Sequence, residues 1–352
     1  MAALDRQTLD ALDSRDQIAD VLALPGHLSD ALWRVHSAGI EAHDSRDGLV
    51  VTGMGGSAIG GALARAALGY EASRPILQAR SYGLPPWTTP DTTVLCASYS
   101  GDTEETLACF ESAGALGANR VVATTGGALA ELARAEGVPV IPLPGGFQPR
   151  AAVGYMLVSA LEVAALCGAG PSLAAEIDVA ADRLVPLAAE WGPESDDDSL
   201  AKTLARALHG TIPIVSGSAL TAPIAYRWKT QINENAETPA FAHELPELDH
   251  NELVGWSGAA ELGPFSAVFL DDCDTHPRVK QRLELTKRLV APHARSTHVV
   301  QTQGSSALER VCSLVLLGDL VSLYLAALRG VDPTPVAAIA QLKEELLAVS
   351  EP

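Results

Sequence analysis

Positive charge is scarce in this chain. Of 352 residues, 24 are Lys or Arg against 43 Asp or Glu, a formal charge of −19. A balance this acidic argues against nucleic acid or an anionic membrane surface as partner, because both are bound through basic patches. Long apolar runs are missing too: none is expected to reach the ~18–20 residues a membrane helix needs. The stretch from Met1 to Asp20 has neither the basic start nor the apolar block of a secretory signal. Nor is there any Cys-x-x-Cys pair. Cys96, Cys109, Cys167, Cys273 and Cys312 are widely spaced and odd in number. That pattern fits reduced thiols and not a disulfide framework or a structural zinc. These absences leave a cytoplasmic globular protein as the expectation.

What is present is a 47% apolar composition, ample for a core, and short β-rich runs alternating with Ala/Leu-rich helical patterns. Strands are predicted over 48–53, 93–98, 120–124 and 138–143, with helices over 59–68, 103–115, 128–136 and 151–166. The acidic, turn-rich stretch 189–199 reads as a linker. The pattern then resumes, with helices over 200–208, 222–235 and 278–291 and strands over 211–216, 266–270 and 297–301. Two closing helices are expected over 307–329 and 334–348. Alternation of this kind predicts an α/β protein of two related lobes, 1–188 with leading helices and 189–352 with closing helices. Each lobe is expected to be a parallel sheet flanked by helices, a three-layer αβα arrangement.

Two strand-to-helix turns carry the chemistry. The first, Thr52-Gly53-Met54-Gly55-Gly56-Ser57-Ala58, combines glycines with a helix start, where the backbone can approach an anion and free N–H groups favour it. Its Gly53-x-Gly55-x-x-Ala58 subset also satisfies a dinucleotide fingerprint, with Glu71 near the expected ribose position. The second turn, Ser98-Tyr99-Ser100-Gly101-Asp102-Thr103, opens another helix. A plain N-cap would need one hydroxyl, Thr103. Three hydroxyls (Ser98, Ser100, Thr103) in six residues point to a bound phosphate. Asp102 runs against that reading, because a carboxylate about 6 Å from a phosphate costs about 2–3 kcal/mol per unit charge at a dielectric of ~20.

A second constellation lies in Gln231-Ile232-Asn233-Glu234-Asn235-Ala236-Glu237 and in Pro246-Glu247-Leu248-Asp249-His250-Asn251-Glu252. Polar residues this dense beside Trp228 and Ile232 are unusual for a solvated face, although a lone carboxylate such as Glu234 is ordinarily exposed. Zinc would have to be held by His243, Glu244, Glu247 and His250. The His-Glu-x-x-His spacing is missing, however, and Pro246 interrupts any helix that would align the donors. No metal and no cofactor are expected.

The Ser-x-Ser-Gly-x-Thr turn resembles the sugar isomerase (SIS) domain. With Gln231–Ala236, Pro246–Glu252, Gln148-Pro149-Arg150-Ala151-Ala152-Val153-Gly154-Tyr155 and Leu342-Lys343, nearly the whole chain is similar to the bifunctional phosphoglucose/phosphomannose isomerases. The resemblance implies that Gly56, Ser57, Ser98, Ser100 and Thr103 hold the phosphate of a sugar 6-phosphate. It makes Glu234 the base between C1 and C2, Arg150 the stabiliser of the enediolate and Lys343 a lysine near the substrate. His250 would open the sugar ring from across a homodimer interface. The implied activity is metal-independent interconversion of glucose 6-phosphate or mannose 6-phosphate with fructose 6-phosphate through a cis-enediol. Two positions depart from the pattern: Asp102 stands where Asn is usual, and Glu237 where Lys is usual. If the helix continued, Glu237 would share a face with Glu234 and perturb the base. The two departures support a rival reading, a phosphosugar-binding sensor with weak or no catalysis.

Overall fold

The computed structural model describes residues 3–349. The first sheet contains β1 (Leu49–Thr52), β2 (Ile76–Ala79), β3 (Thr93–Ala97), β4 (Asn119–Thr124) and β5 (Val140–Pro142), in the order β2-β1-β3-β4-β5. The second contains β6 (Ile212–Gly217), β7 (Phe241–Glu244), β8 (Phe265–Asp271) and β9 (Ser296–Gln301), in the order β7-β6-β8-β9. All pairings are parallel, and β1 and β3 are buried along their whole length, as strands covered on both faces must be. The expected α/β arrangement of two parallel sheets flanked by helices is present. β2 and β7 were not expected from the sequence; both are short edge strands with half-exposed patterns.

In each sheet the chain reverses direction of travel once, between β1 and β3 and between β6 and β8. The crevice at the carboxyl ends of such strands is where open α/β sheets bind ligands. Both hydroxyl-rich turns leave β1 and β3 at that point.

One continuous core joins the sheets. Leu49, Val51 and Leu95 of the first sheet and Val215, Val268 and Leu270 of the second belong to the same buried cluster, filled by helices Gly55–Leu68, Val153–Leu166, Ala174–Trp191, Ala222–Ala236 and Ala307–Arg329. The last corrects an expectation. Helix Ala307–Arg329 is long and apolar enough to cross a membrane by length and composition. It is instead buried from Leu308 to Ala327, and it carries Asp319 in an ion pair with buried Arg227 at 2.6 Å. The expected linker at 189–199 starts later, because helix Ala174–Trp191 runs on until the indole of Trp191 is buried. Tyr324 then donates to the Trp191 carbonyl at 2.8 Å. At the other end, helix Ala337–Ala348 starts beyond Thr334, leaving the carbonyls of Pro333 and Thr334 outside any helix.

Candidate active site

The helix after β1 begins at Gly55, so Gly56 and Ser57 lie in its first turn. The helix after β3 is Glu104–Ala115, with Thr103 at its N-cap. Neither helix start has a side-chain cap. The Thr103 hydroxyl pairs with Ser98 Oγ at 2.8 Å instead of capping, and Ser98 Oγ also accepts from Gly101 N at 3.0 Å. Ser100 Oγ accepts from Asp102 N at 3.2 Å. Ser57 Oγ accepts from Tyr99 N at 3.2 Å and so ties the two turns together. The four hydroxyls therefore form one cradle over two helix starts whose leading N–H groups have no side-chain partner, a setting that favours an anion. Gly101 (φ +79°) closes the second turn where a Cβ would run into the Gly126 carbonyl.

Asp102 does not face this cradle. Its Oδ1 accepts from Ala128 N at 2.9 Å, at the start of helix Gly127–Ala135, where a carboxylate is stabilised by the helix dipole. The dinucleotide reading fails on geometry. Glu71 sits exposed just beyond helix Gly55–Leu68, at the end remote from the glycine turn.

Arg150 is placed by the first turn itself. A Cβ on Gly56 would come within 2.7 Å of the Pro149 carbonyl and 2.9 Å of Arg150 Cα, so only glycine admits this approach. The Arg150 side chain is 3% exposed and lies 3.5 Å from Glu234, from Nη1 to Oε2. Its Nε donates to Asn235 Oδ1 at 2.6 Å. Its Nη2 donates to Gln17 Oε1 at 3.1 Å and to the carbonyls of Pro333 and Thr334. Burial draws the guanidinium below its usual pKa, and neighbouring Glu234 works in the opposite direction. Nε and Nη2 make the short bonds, while Nη1 has only long contacts, 3.5 Å to Glu234 and 3.5 Å to Gln148 Oε1, and is the least committed edge of the group. Glu234 is 27% exposed, near the end of helix Ala222–Ala236.

Glu237 corrects the sequence reading. The helix stops at Ala236 because Pro239 follows two residues after the cap and disfavours helix in Thr238. Glu237 turns left-handed (φ 46°) and is exposed, with its carbonyl accepting from Arg329 at 2.7 Å. It does not share the Glu234 face.

Within one chain the remaining expected residues are not brought to this centre by any hydrogen bond or ion pair among the described residues. His250, itself exposed, ends the turn Glu247–His250, whose Leu248 is buried, and Lys343 lies on the exposed helix Ala337–Ala348. His243 is on β7, its pKa lowered by burial. Glu247 is held by Asn251 at 2.9 Å. These donors, with Glu244 and His250, form no cluster at ligating distance among the described residues.

The sequence reading missed Gln17. It is 1% exposed, accepts from Arg150 and donates to Asn235 Oδ1 at 2.9 Å. Its only signal is a glutamine on the same short helix as buried Ile18 and Val21. Arg227, too, is in the sequence only one half of a basic pair with Lys229. In the structure it donates to the Arg150 carbonyl at 2.9 Å while paired with Asp319.

Residues 197–346 match the bacterial phospho-glucose isomerase C-terminal SIS domain. The chain is 40% identical over 318 residues to the bifunctional phosphoglucose/phosphomannose isomerase of Caldicellulosiruptor bescii, covering 90% of this chain and 94% of that one. It is 39% identical to the protein of the same name from Aquifex aeolicus, covering 85% and 90%. Among solved structures, a hypothetical protein from Thermus thermophilus has the same fold, with a TM-score of 0.70 at 17% identity over 98% of this chain and 94% of that one. A hydroxyl cradle on two uncapped helix starts, an arginine–glutamate pair beside it and this degree of identity over most of its length place the chain in the bifunctional phosphoglucose/phosphomannose isomerase family.

Proposed function

We propose that the site interconverts glucose 6-phosphate and mannose 6-phosphate with fructose 6-phosphate through a cis-enediol, without a metal ion. The observation that carries this reading is the Arg150–Glu234 pair at 3.5 Å, next to the cradle of Ser57, Ser98, Ser100 and Thr103. Anchoring the phosphate there orients the reacting carbons, so binding energy from a remote group serves the chemistry. Glu234 takes the C–H proton from one of C1 and C2 and returns it to the other, while the hydroxyl proton passes between O1 and O2, which lie side by side in the cis-enediol. The enediolate oxygen meets Nη1 of Arg150, a fixed positive charge in a buried setting, which is the task a Lewis acid would otherwise perform.

Ring opening needs a proton shuttle at the ring oxygen. We assign it to His250 of the partner subunit in a homodimer; the exposed position of this residue in the single chain is what such an exchange requires. Lys343, on the exposed terminal helix, is assigned to the rim of the same site. Buried Cys96, Cys109, Cys167 and Cys312 suit a reducing, cytoplasmic setting. The lobe division, 1–188 and 189–352, assigns the cradle and Arg150 to one lobe and Glu234 to the other. The sensor reading rested on Asp102 and Glu237. The first faces another helix and the second lies outside the Glu234 helix, so neither favours it.

The test is a coupled assay in EDTA, with glucose 6-phosphate and mannose 6-phosphate supplied separately. Turnover of both is expected. Glu234→Gln should lower kcat by at least ~10²–10⁴-fold, the usual weight of a positioned base, while sugar phosphate still raises the melting temperature. Turnover that EDTA abolishes, or that survives in Glu234→Gln, would overturn the assignment.

A further inference from the structure

The cradle that receives the phosphate holds no cation. Its groups are hydroxyls and backbone N–H, and the carboxylates of Glu104 and Glu105 follow in the first turn of the second helix, on a chain of charge −19. A phosphate dianion approaching this face therefore meets net negative charge, which weakens capture unless positive charge stands nearby.

Two cations stand there. Arg80 is the first residue after β2, and β2 pairs with β1 so that Ala79 lies beside Thr52. Arg80 thus emerges alongside Gly53, at the entrance to the first turn, with Gly53 N donating to the Ala79 carbonyl at 3.3 Å. Two residues on, Tyr82 donates to Glu104 at 3.1 Å, in the first turn of the helix that follows the second hydroxyl turn. The backbone around Arg80 is therefore anchored to both halves of the cradle. Its guanidinium stands 5.0 Å from the ring centre of Tyr226, on helix Ala222–Ala236, which carries Glu234. Lys229, nearly one helical turn further along, brings its Nζ to 4.9 Å from the same ring.

Neither cation makes a hydrogen bond or an ion pair among the described residues, whereas Arg150, Arg227 and Arg310 are all paired. Two like charges on one half-exposed tyrosine repel each other. The ring offers each a modest attraction, and an anion between them and the cradle would satisfy both. On the reading of the cradle as a phosphate site, we propose that Arg80 and Lys229, gathered on Tyr226, form a cationic rim that draws the phosphate dianion of the substrate into the hydroxyl cradle. The rim spans the two lobes, one cation from each. It selects for the charge of the phosphate and leaves the sugar carbons to Glu234 and Arg150.

The test compares wild type with Arg80→Gln, Lys229→Gln and the double variant; Arg80 is exposed just after β2 and Lys229 is half-buried on helix Ala222–Ala236. KM for fructose 6-phosphate and the inhibition constant of inorganic phosphate are measured at ~0.02 M and ~0.5 M salt, where screening lengths differ severalfold. Each single variant should raise both constants severalfold at low salt, as expected when one unit charge near a dianion in water is removed. The double variant should raise them further, kcat should hold within about twofold, and the differences should shrink at high salt. Unchanged constants in the double variant of an active enzyme, or a change of equal size at both salt concentrations, would overturn the rim while leaving the cradle standing. A wild type that neither turns over nor binds inorganic phosphate would overturn both.

Discussion

The guanidinium of Arg150 offers N–H donors on three nitrogens, and two of those nitrogens are committed to Asn235, Gln17 and the carbonyls of Pro333 and Thr334. Gln17 does double duty by also donating to Asn235. Gln17→Leu would keep the volume near that position but leave part of Arg150 and Asn235 unpaired in a buried setting. We expect kcat to fall roughly 10–100-fold, because a shift of ~1 Å at a catalytic group costs on that order. KM should change less than about threefold, since the phosphate cradle is untouched. A variant that loses only melting temperature, with kcat per folded molecule unchanged, would make Gln17 merely structural. Glu234 was legible in the sequence because it sits in a dense polar motif, whereas Arg150, in the mostly small and apolar stretch 148–155, was singled out only by the resemblance of that stretch to the isomerase family. Gln17 was not: one glutamine in a short helix carries no spacing that distinguishes a buried partner from a solvated one. Glu237 was misplaced for a different reason, because extending helical periodicity past Ala236 ignored the proline two residues beyond Glu237.

At the scale of elements, helix Leu24–Ser37 sets His27 against Phe147 and Tyr155, with ring centres 4.8 and 5.2 Å apart. Burial lowers its pKa from 6.5 to about 4, with Asp30 acting weakly in the opposite direction. The unfolded chain therefore binds more protons at this histidine than the native protein does between about pH 6.5 and 4. Stability from neutral His27 is full above that window and is lost as pH falls through it, by up to about 3 kcal/mol. Denaturant melts of wild type and His27→Phe across this range should show the wild type losing stability faster toward acid. Asp20, raised to about 6 mainly by burial, acts in the opposite sense, which is why the difference between the two proteins is the quantity to read. Parallel acid limbs would refute the assignment. The central strands were readable because burial on both faces makes them continuous apolar runs. β2 and β7 were not, because an edge strand of four residues with polar positions looks like loop. The long helix Ala307–Arg329 was placed correctly, yet its apolar length was underestimated because the buried Asp319 is matched by an arginine far away in sequence.

The whole molecule is expected to work as a dimer. If one subunit's Glu234 and the other's His250 share a site, Glu234→Gln and His250→Ala should each be inactive alone. Mixed and allowed to exchange subunits, they should recover up to about a quarter of wild-type activity, because half of the randomly formed dimers carry one intact site. Inactivity of the mixture under conditions where exchange is demonstrated would place His250 in its own subunit's site or outside any site. The two-sheet architecture was legible from alternation alone. The shared core between the sheets was not, because it is built from contacts far apart in the chain. That separation bears on how the enzyme comes into being. Arg150 is held by Gln17 near one end of the described chain and by Pro333 and Thr334 near the other. A ribosome must therefore release the chain through Thr334 before the guanidinium can be seated, so a nascent chain that already has its first sheet and its hydroxyl cradle remains an unfinished catalyst.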